Sequence, residues 1–141
     1  MRNKEIPLYE YDVKLLIALV KALQGDKVFF KFLVEGEYKE LAAFSNAVRG
    51  DVEALKFHFT QGYTHLAILS NAIDGEKKAV EWIENKNDEF YINFASACRG
   101  VIEGEKWFRD RELKLFIFMI TEIRIILKTQ MKENTFWYKW R

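Results

Sequence analysis

The chain has a single cysteine, Cys98, and a single proline, Pro7. One thiol allows no internal disulfide and suits a reducing compartment. One proline removes the commonest breaker of regular backbone, so punctuation falls to the seven glycines, and helices joined by tight turns are expected. Charge of one sign is not in excess either. The formal net charge is +1, so no global field recruits nucleic acid or an anionic membrane. The first fifteen residues alternate charged and apolar side chains and lack the apolar run of a signal peptide. From Leu115 to Leu127 the sequence is strongly apolar, but Glu122 and Arg124 interrupt it well short of the ~20 residues that span a bilayer. Together these absences point to a cytoplasmic protein of one domain. Half of its residues are hydrophobic, enough for a real core.

What is present is a period. Glycine stands at positions 25, 50, 75 and 100, and its surroundings recur with it. Three residues earlier come Ala22, Ala47, Ala72 and Ala97; six earlier come Leu19, Phe44, Leu69 and Phe94. Two earlier stand Leu23, Val48, Ile73 and Cys98, and seven later Phe32, Phe57, Trp82 and Trp107. Such self-similarity is the mark of stacked repeats. The fold class expected is all-α, a short right-handed α-solenoid of about four helix-turn-helix units. Their bounds are about 16–40, 41–65, 66–90 and 91–115, with a long C-terminal capping helix over 116–141.

Within a unit, Leu41, Phe44, Ser45 and Val48 mark one face of a short first helix. Gly50 ends it in the left-handed conformation that glycine adopts cheaply, and Asp51 caps the second helix. Gly25-Asp26 and Gly75-Glu76 repeat the arrangement, whereas Gly100-Val101 loses the cap. Helices of nine or ten residues are marginal alone, so stability must come from the interface between neighbouring hairpins. The alanine column lets adjacent first helices approach. The Phe32, Phe57, Trp82 and Trp107 column is expected to supply most of the buried area. Ile125 stands where a fifth glycine is due, and the segment from Arg111 to Lys132 reads as one helix across the open end of the stack. Tyr9 to Leu16 is expected to begin the first helix and cover the other end.

These spacings resemble the ankyrin helical hairpin. Ala47, Gly50, Asp51, Ala54, Leu55 and Gly62 fall where that hairpin has its small residue, its turn and its second helix; Ala72, Gly75, Ala79 and Val80 repeat most of them. The period is shorter than the ankyrin period of about 33 residues, and the Thr-Pro-Leu-His opening is absent. The chain thus looks like an ankyrin-like hairpin stack without its β-hairpin fingers. It is also similar to uncharacterised bacterial proteins with 25-residue α-helical repeats, most closely from Gly62 to Ala67. The ankyrin resemblance implies protein binding and no catalysis.

Chemistry-bearing motifs are sparse. His58 and His65 are separated by Gly62, which breaks any helix joining them. Cys98 occupies an apolar column and reads as a buried thiol. The stretch from Gly100 to Gly104 lacks the Lys-Ser/Thr of a phosphate loop. The chain is therefore read as a non-enzyme, with no catalytic residue, metal or cofactor. Two columns recur on the polar side of the first helices: Lys21, Asn46, Asn71 and Ser96, then Gln24, Arg49, Asp74 and Arg99. Either the Asn and Ser side chains merely bond nearby turn backbone, or the two columns form a ridge that binds a protein or peptide. The partner-binding candidates are Lys21, Asn46, Arg49, Asn71, Asp74, Ser96 and Arg99, joined by Trp137 and Trp140 of the aromatic, basic tail. That tail either completes the core, docks to another chain, or meets a membrane interface or bases. The alternative function is nucleic-acid binding through Arg49, Arg99 and the tail, against which near-neutral charge weighs.

Overall fold

The computed structural model describes residues 3–139, with side chains for residues 3–131. Trp140 and the side chain of Trp137 lie outside the described residues. Nine α-helices follow one another, with no strand among the described residues: α1 (Val13–Leu23), α2 (Lys27–Glu35), α3 (Lys39–Val48), α4 (Val52–Thr60), α5 (Thr64–Ile73), α6 (Lys77–Lys86), α7 (Glu89–Cys98), α8 (Ile102–Asp110) and α9 (Lys114–Lys139). Consecutive helices pack as hairpins, and hairpins pack on their neighbours, so the fold is a short helical solenoid.

The four corners share one geometry. Gly25, Gly50, Gly75 and Gly100 have φ between +83° and +91°. Each glycine N–H donates at 2.9 Å to the alanine carbonyl three residues back. The following N–H donates to the carbonyl of Lys21, Asn46, Asn71 or Ser96 at 3.0–3.1 Å. This double bond pattern satisfies carbonyls that a helix end would otherwise orphan. Asp26 and Asp51 then cap α2 and α4 by accepting from two backbone N–H groups each. Glu76 makes no such bond, so the cap is absent from α6 as well as from α8.

The apolar ring column expected inside lies on the flank. Phe32 and Trp82 are 52% and 38% exposed, whereas the next residue in each unit is buried: Leu33, His58, Ile83 and Phe108. The reason is rotational. Buried Ala54, Ala79 and Gly104 sit one helical turn before His58, Ile83 and Phe108, so these two rows define the inner face. The aromatic row is rotated by about 100° from it. At Gly104 the approach is closest, because a Cβ there would collide with Ser96 and with the α7 backbone at Asn93 and Ala97.

The first helices α1, α3, α5 and α7 each pack on the next, and α9 packs on α7 and α8. Phe116, Met119, Ile120 and Ile123 continue the buried register of Leu16, Leu19, Val20 and Leu23, so α9 starts as a fifth first helix. It also packs on α1. The expected cap over one open end is therefore a closure: five inner helices form a ring, with α2, α4, α6 and α8 outside. Leu19, Phe44, Leu69, Phe94 and Met119, all fully buried, occupy one level of it. Each contributes roughly 1.5–3 kcal/mol of burial. Past the corner level α9 runs on, and its Gln130 amide donates to the carbonyl of Arg49.

The N-terminal segment is not the start of α1. Asp12 caps α1, accepting from the Lys14 N–H, and residues 3–11 form a strap with a 3-10 turn at Leu8–Glu10. The strap crosses the N-terminal ends of α3, α5 and α7. Tyr11 donates to the buried Glu40 carboxylate at 2.7 Å, and the Tyr9 ring lies 4.6 Å from that of Phe90.

Candidate functional site

The proposed first-helix ridge does not assemble as one free ladder. Lys21, Asp74 and Arg99 are exposed, while Asn46, Asn71 and Ser96 are half-buried. Ser96 turns toward its own outer helix, with its hydroxyl donating to the Asn93 carbonyl at 3.2 Å. The two arginines act between repeats. Arg49 donates to the carbonyls of Ala22 (3.2 Å) and Leu23 (2.6 Å) at the end of α1, and to Ser45 at 2.9 Å. Arg99 donates to the Ala72 carbonyl at the end of α5 at 2.6 Å. A cation at a helix C-terminus meets both orphan carbonyls and the negative end of the dipole. Asp74 holds the same register and cannot donate, and the end of α3 receives Gln130 instead. Burial raises the Asp74 carboxyl above its ordinary value.

A cleft of about 470 Å³ opens at the other end, between the strap, α5, α6 and α7. Glu5 and Pro7 come from the strap, Thr64 and His65 from the start of α5, and Trp82 and Lys86 from the outer face of α6. Asp88 and Tyr91 close it from α7. His65 Nδ1 lies 2.9 Å from the Tyr91 hydroxyl, and Nε2 lies 3.2 Å from the Lys4 carbonyl. A carbonyl only accepts, so Nε2 carries the proton and Nδ1 accepts from Tyr91. The Tyr91 oxygen in turn accepts from the Leu8 N–H at 2.9 Å. Burial lowers the His65 pKa, partly offset by the Lys4 carbonyl and by Glu5 and Glu40. Burial likewise pushes the Tyr91 hydroxyl up. Trp82 stays 38% exposed, with the Lys86 ammonium 5.0 Å from its ring centroid.

Both ring nitrogens of His65 are engaged, so it offers no free base. His58 lies in the core, bonded through Nε2 to the Glu40 carbonyl at 2.8 Å. Burial also lowers its pKa. Cys98 is buried as expected, and burial pushes its thiol up. Among the described residues no cluster of three His, Cys, Asp or Glu could hold a metal. No described helix is long and apolar enough to cross a membrane. The sequence reading missed the cleft. Its available signals were Trp82 in a row that the inner face leaves out, and polar His65 where the next unit has Phe90. No family model, curated protein or solved structure matches the chain.

Proposed function

We propose that the chain is a non-enzymatic, ankyrin-like repeat module that binds a protein or peptide in the cytoplasm. The observation that carries this reading is the cleft at Trp82. A part-exposed indole stands beside polar groups from the strap, α5, α6 and α7 in a cavity of about 470 Å³. Binding hot spots favour this combination of a rigid aromatic anchor and a few fixed polar groups. The reading moves the contact surface from the first-helix ridge to the strap end, because Arg49 and Arg99 already bond neighbouring carbonyls. The same bonds weigh against nucleic-acid binding, which would call on those guanidinium groups.

A peptide array followed by titration of the best ligand tests the proposal. Trp82→Ala should weaken binding by about tenfold or more and leave the melting temperature unchanged. Ligands indifferent to Trp82→Ala would remove the cleft from consideration. Oligonucleotide binding that collapses with added salt would favour the other class.

A further inference from the structure

The outer layer has a vacancy. Each outer helix straddles two inner ones: α2 lies on α1 and α3, α4 on α3 and α5, α6 on α5 and α7, and α8 on α7 and α9. The ring continues from α9 to α1, and among the described residues no outer helix covers that pair. On α9, Phe118 and Thr121 hold the register of Asn93 and Ser96, the α7 positions against which α8 packs. With nothing over it, Phe118 is 63% exposed, and Ile125 two turns on is 52% exposed. On α1, Ile17 holds the register of Ala42 and Ala67, which are buried at 1% and 0%, yet Ile17 is 43% exposed. Val13, one turn earlier, is 57% exposed. Four large apolar side chains thus wall a slot about three helical turns long.

We propose that this slot receives an acidic amphipathic helix of another protein, docked as a fifth outer helix. The pattern of the existing outer helices sets its apolar face: a small residue at the level of Ala54, Ala79 and Gly104, and a large one a turn later, as at Ile83 and Phe108. The rim sets its charge. Lys14 and Lys21 on α1 and Lys114 and Lys128 on α9 are exposed along the two faces. Glu122 of α9 also stands there, and its carboxylate accepts a bond from Gln24 at 3.3 Å. A second copy of α9 would bring Lys114 and Lys128 against the same lysines, and like charges set face to face oppose that pairing. The slot lies apart from the Trp82 cleft, so the inference stands independently of it.

The test uses the full chain and a fluorescent synthetic helix of about 18 residues, long enough to be partly helical alone. It is rich in Glu and Ala, with Ala and Leu spaced by four on one face. The acidic probe should bind with one-to-one stoichiometry, more weakly as salt rises, and its Glu-to-Lys counterpart should not bind. Phe118→Asp and Ile17→Asp should each weaken binding by about tenfold or more while the chain stays folded by circular dichroism, and Trp82→Ala should leave binding of the probe unchanged. The proposal is overturned if the acidic probe fails to bind, if the basic one binds as well, or if Phe118→Asp has no effect. It is equally overturned if sedimentation of the protein alone shows a dimer that Phe118→Asp dissociates.

Discussion

Glycine serves two separate purposes here, and the fourth unit separates them. Gly104 is helical and is needed for space, because Ser96 and the α7 backbone occupy the volume of its missing side chain. Gly62 is needed for its backbone, with φ at +87° where the second helix turns back. The equivalent positions in the other units are Glu37, Asn87 and Glu112, with φ of 66°, 55° and 54°. Asparagine tolerates that region, but glutamate does so at a cost of about 1–2 kcal/mol. The exposed Glu112 side chain makes the cleanest test. Glu112→Gly should stabilise the protein by about 0.5–1 kcal/mol, since the strain relieved exceeds the added chain entropy. Gly62→Ala should destabilise it by a similar amount. Urea midpoints with unchanged slope would measure both. A destabilised Glu112→Gly variant would show that the left-handed conformation there is not the source of strain.

Hairpins make the elements and the arginines join them. Arg49 carries two bonds to carbonyls across the boundary between the first two units and a third to Ser45 of its own helix, whereas Arg99 carries one across the boundary between the third and fourth. Removing a half-buried donor leaves helix-end carbonyls unsatisfied, at about 1–3 kcal/mol for each group truly desolvated. Arg49→Met should therefore cost about 1–3 kcal/mol, and Arg99→Met less, by chemical denaturation. Equal and negligible losses would return both side chains to the pool of free surface cations. The comparison also explains what could be read from the sequence. The corners were legible because a left-handed turn restricts one position to glycine, so Gly25, Gly50, Gly75 and Gly100 announce themselves. The inner face of the second helices was not. Phe32 beside Leu33, or Trp107 beside Phe108, gives two adjacent apolar residues, and only the small row at Ala54, Ala79 and Gly104 decides which points inward. Arg49 and Arg99 were legible as a column but not as a staple, since a recurring exposed arginine looks the same whether it meets a partner or the preceding helix. The strap was illegible because residues 3–11 have no repeat to be compared with.

Closure changes what the whole molecule depends on. In an open solenoid the two ends never meet, and each unit answers only to its neighbours. Here α9 touches α1, and the strap that precedes α1 is bound to α5 and α7. Curvature of this kind accumulates from small rotations between units and is written in no single residue, although Met119 and Ile123 already continued the register of a fifth inner helix. The strap is held by neutral His65, which accepts from Tyr91 and donates to Lys4. Protonation would turn its accepting nitrogen into a donor facing Tyr91. The groups nearby are Lys4 and Glu5 on the strap, Glu40 on α3, His58 on α4 and Asp88 on α7. The Lys4 carbonyl and the carboxylates of Glu5 and Glu40 favour the proton, and burial outweighs them. The folded-state pKa therefore lies below the ordinary value of 6.5. As pH falls, the unfolded chain takes up the proton first. Stability is full above about pH 6.5 and declines below it, by at most about 1.4 kcal/mol per pH unit for each such histidine. Core His58 shifts in the same direction and adds to the slope. His65→Gln should make the decline between pH 7 and pH 5 shallower, by roughly one histidine's share. At the same time the Leu8 amide, corrected for intrinsic exchange rates, should lose hydrogen-exchange protection in the native protein at the acid end. A wild-type stability that is flat across this range, or a His65→Gln variant with the parent's slope, would show that the strap is held by something other than this relay.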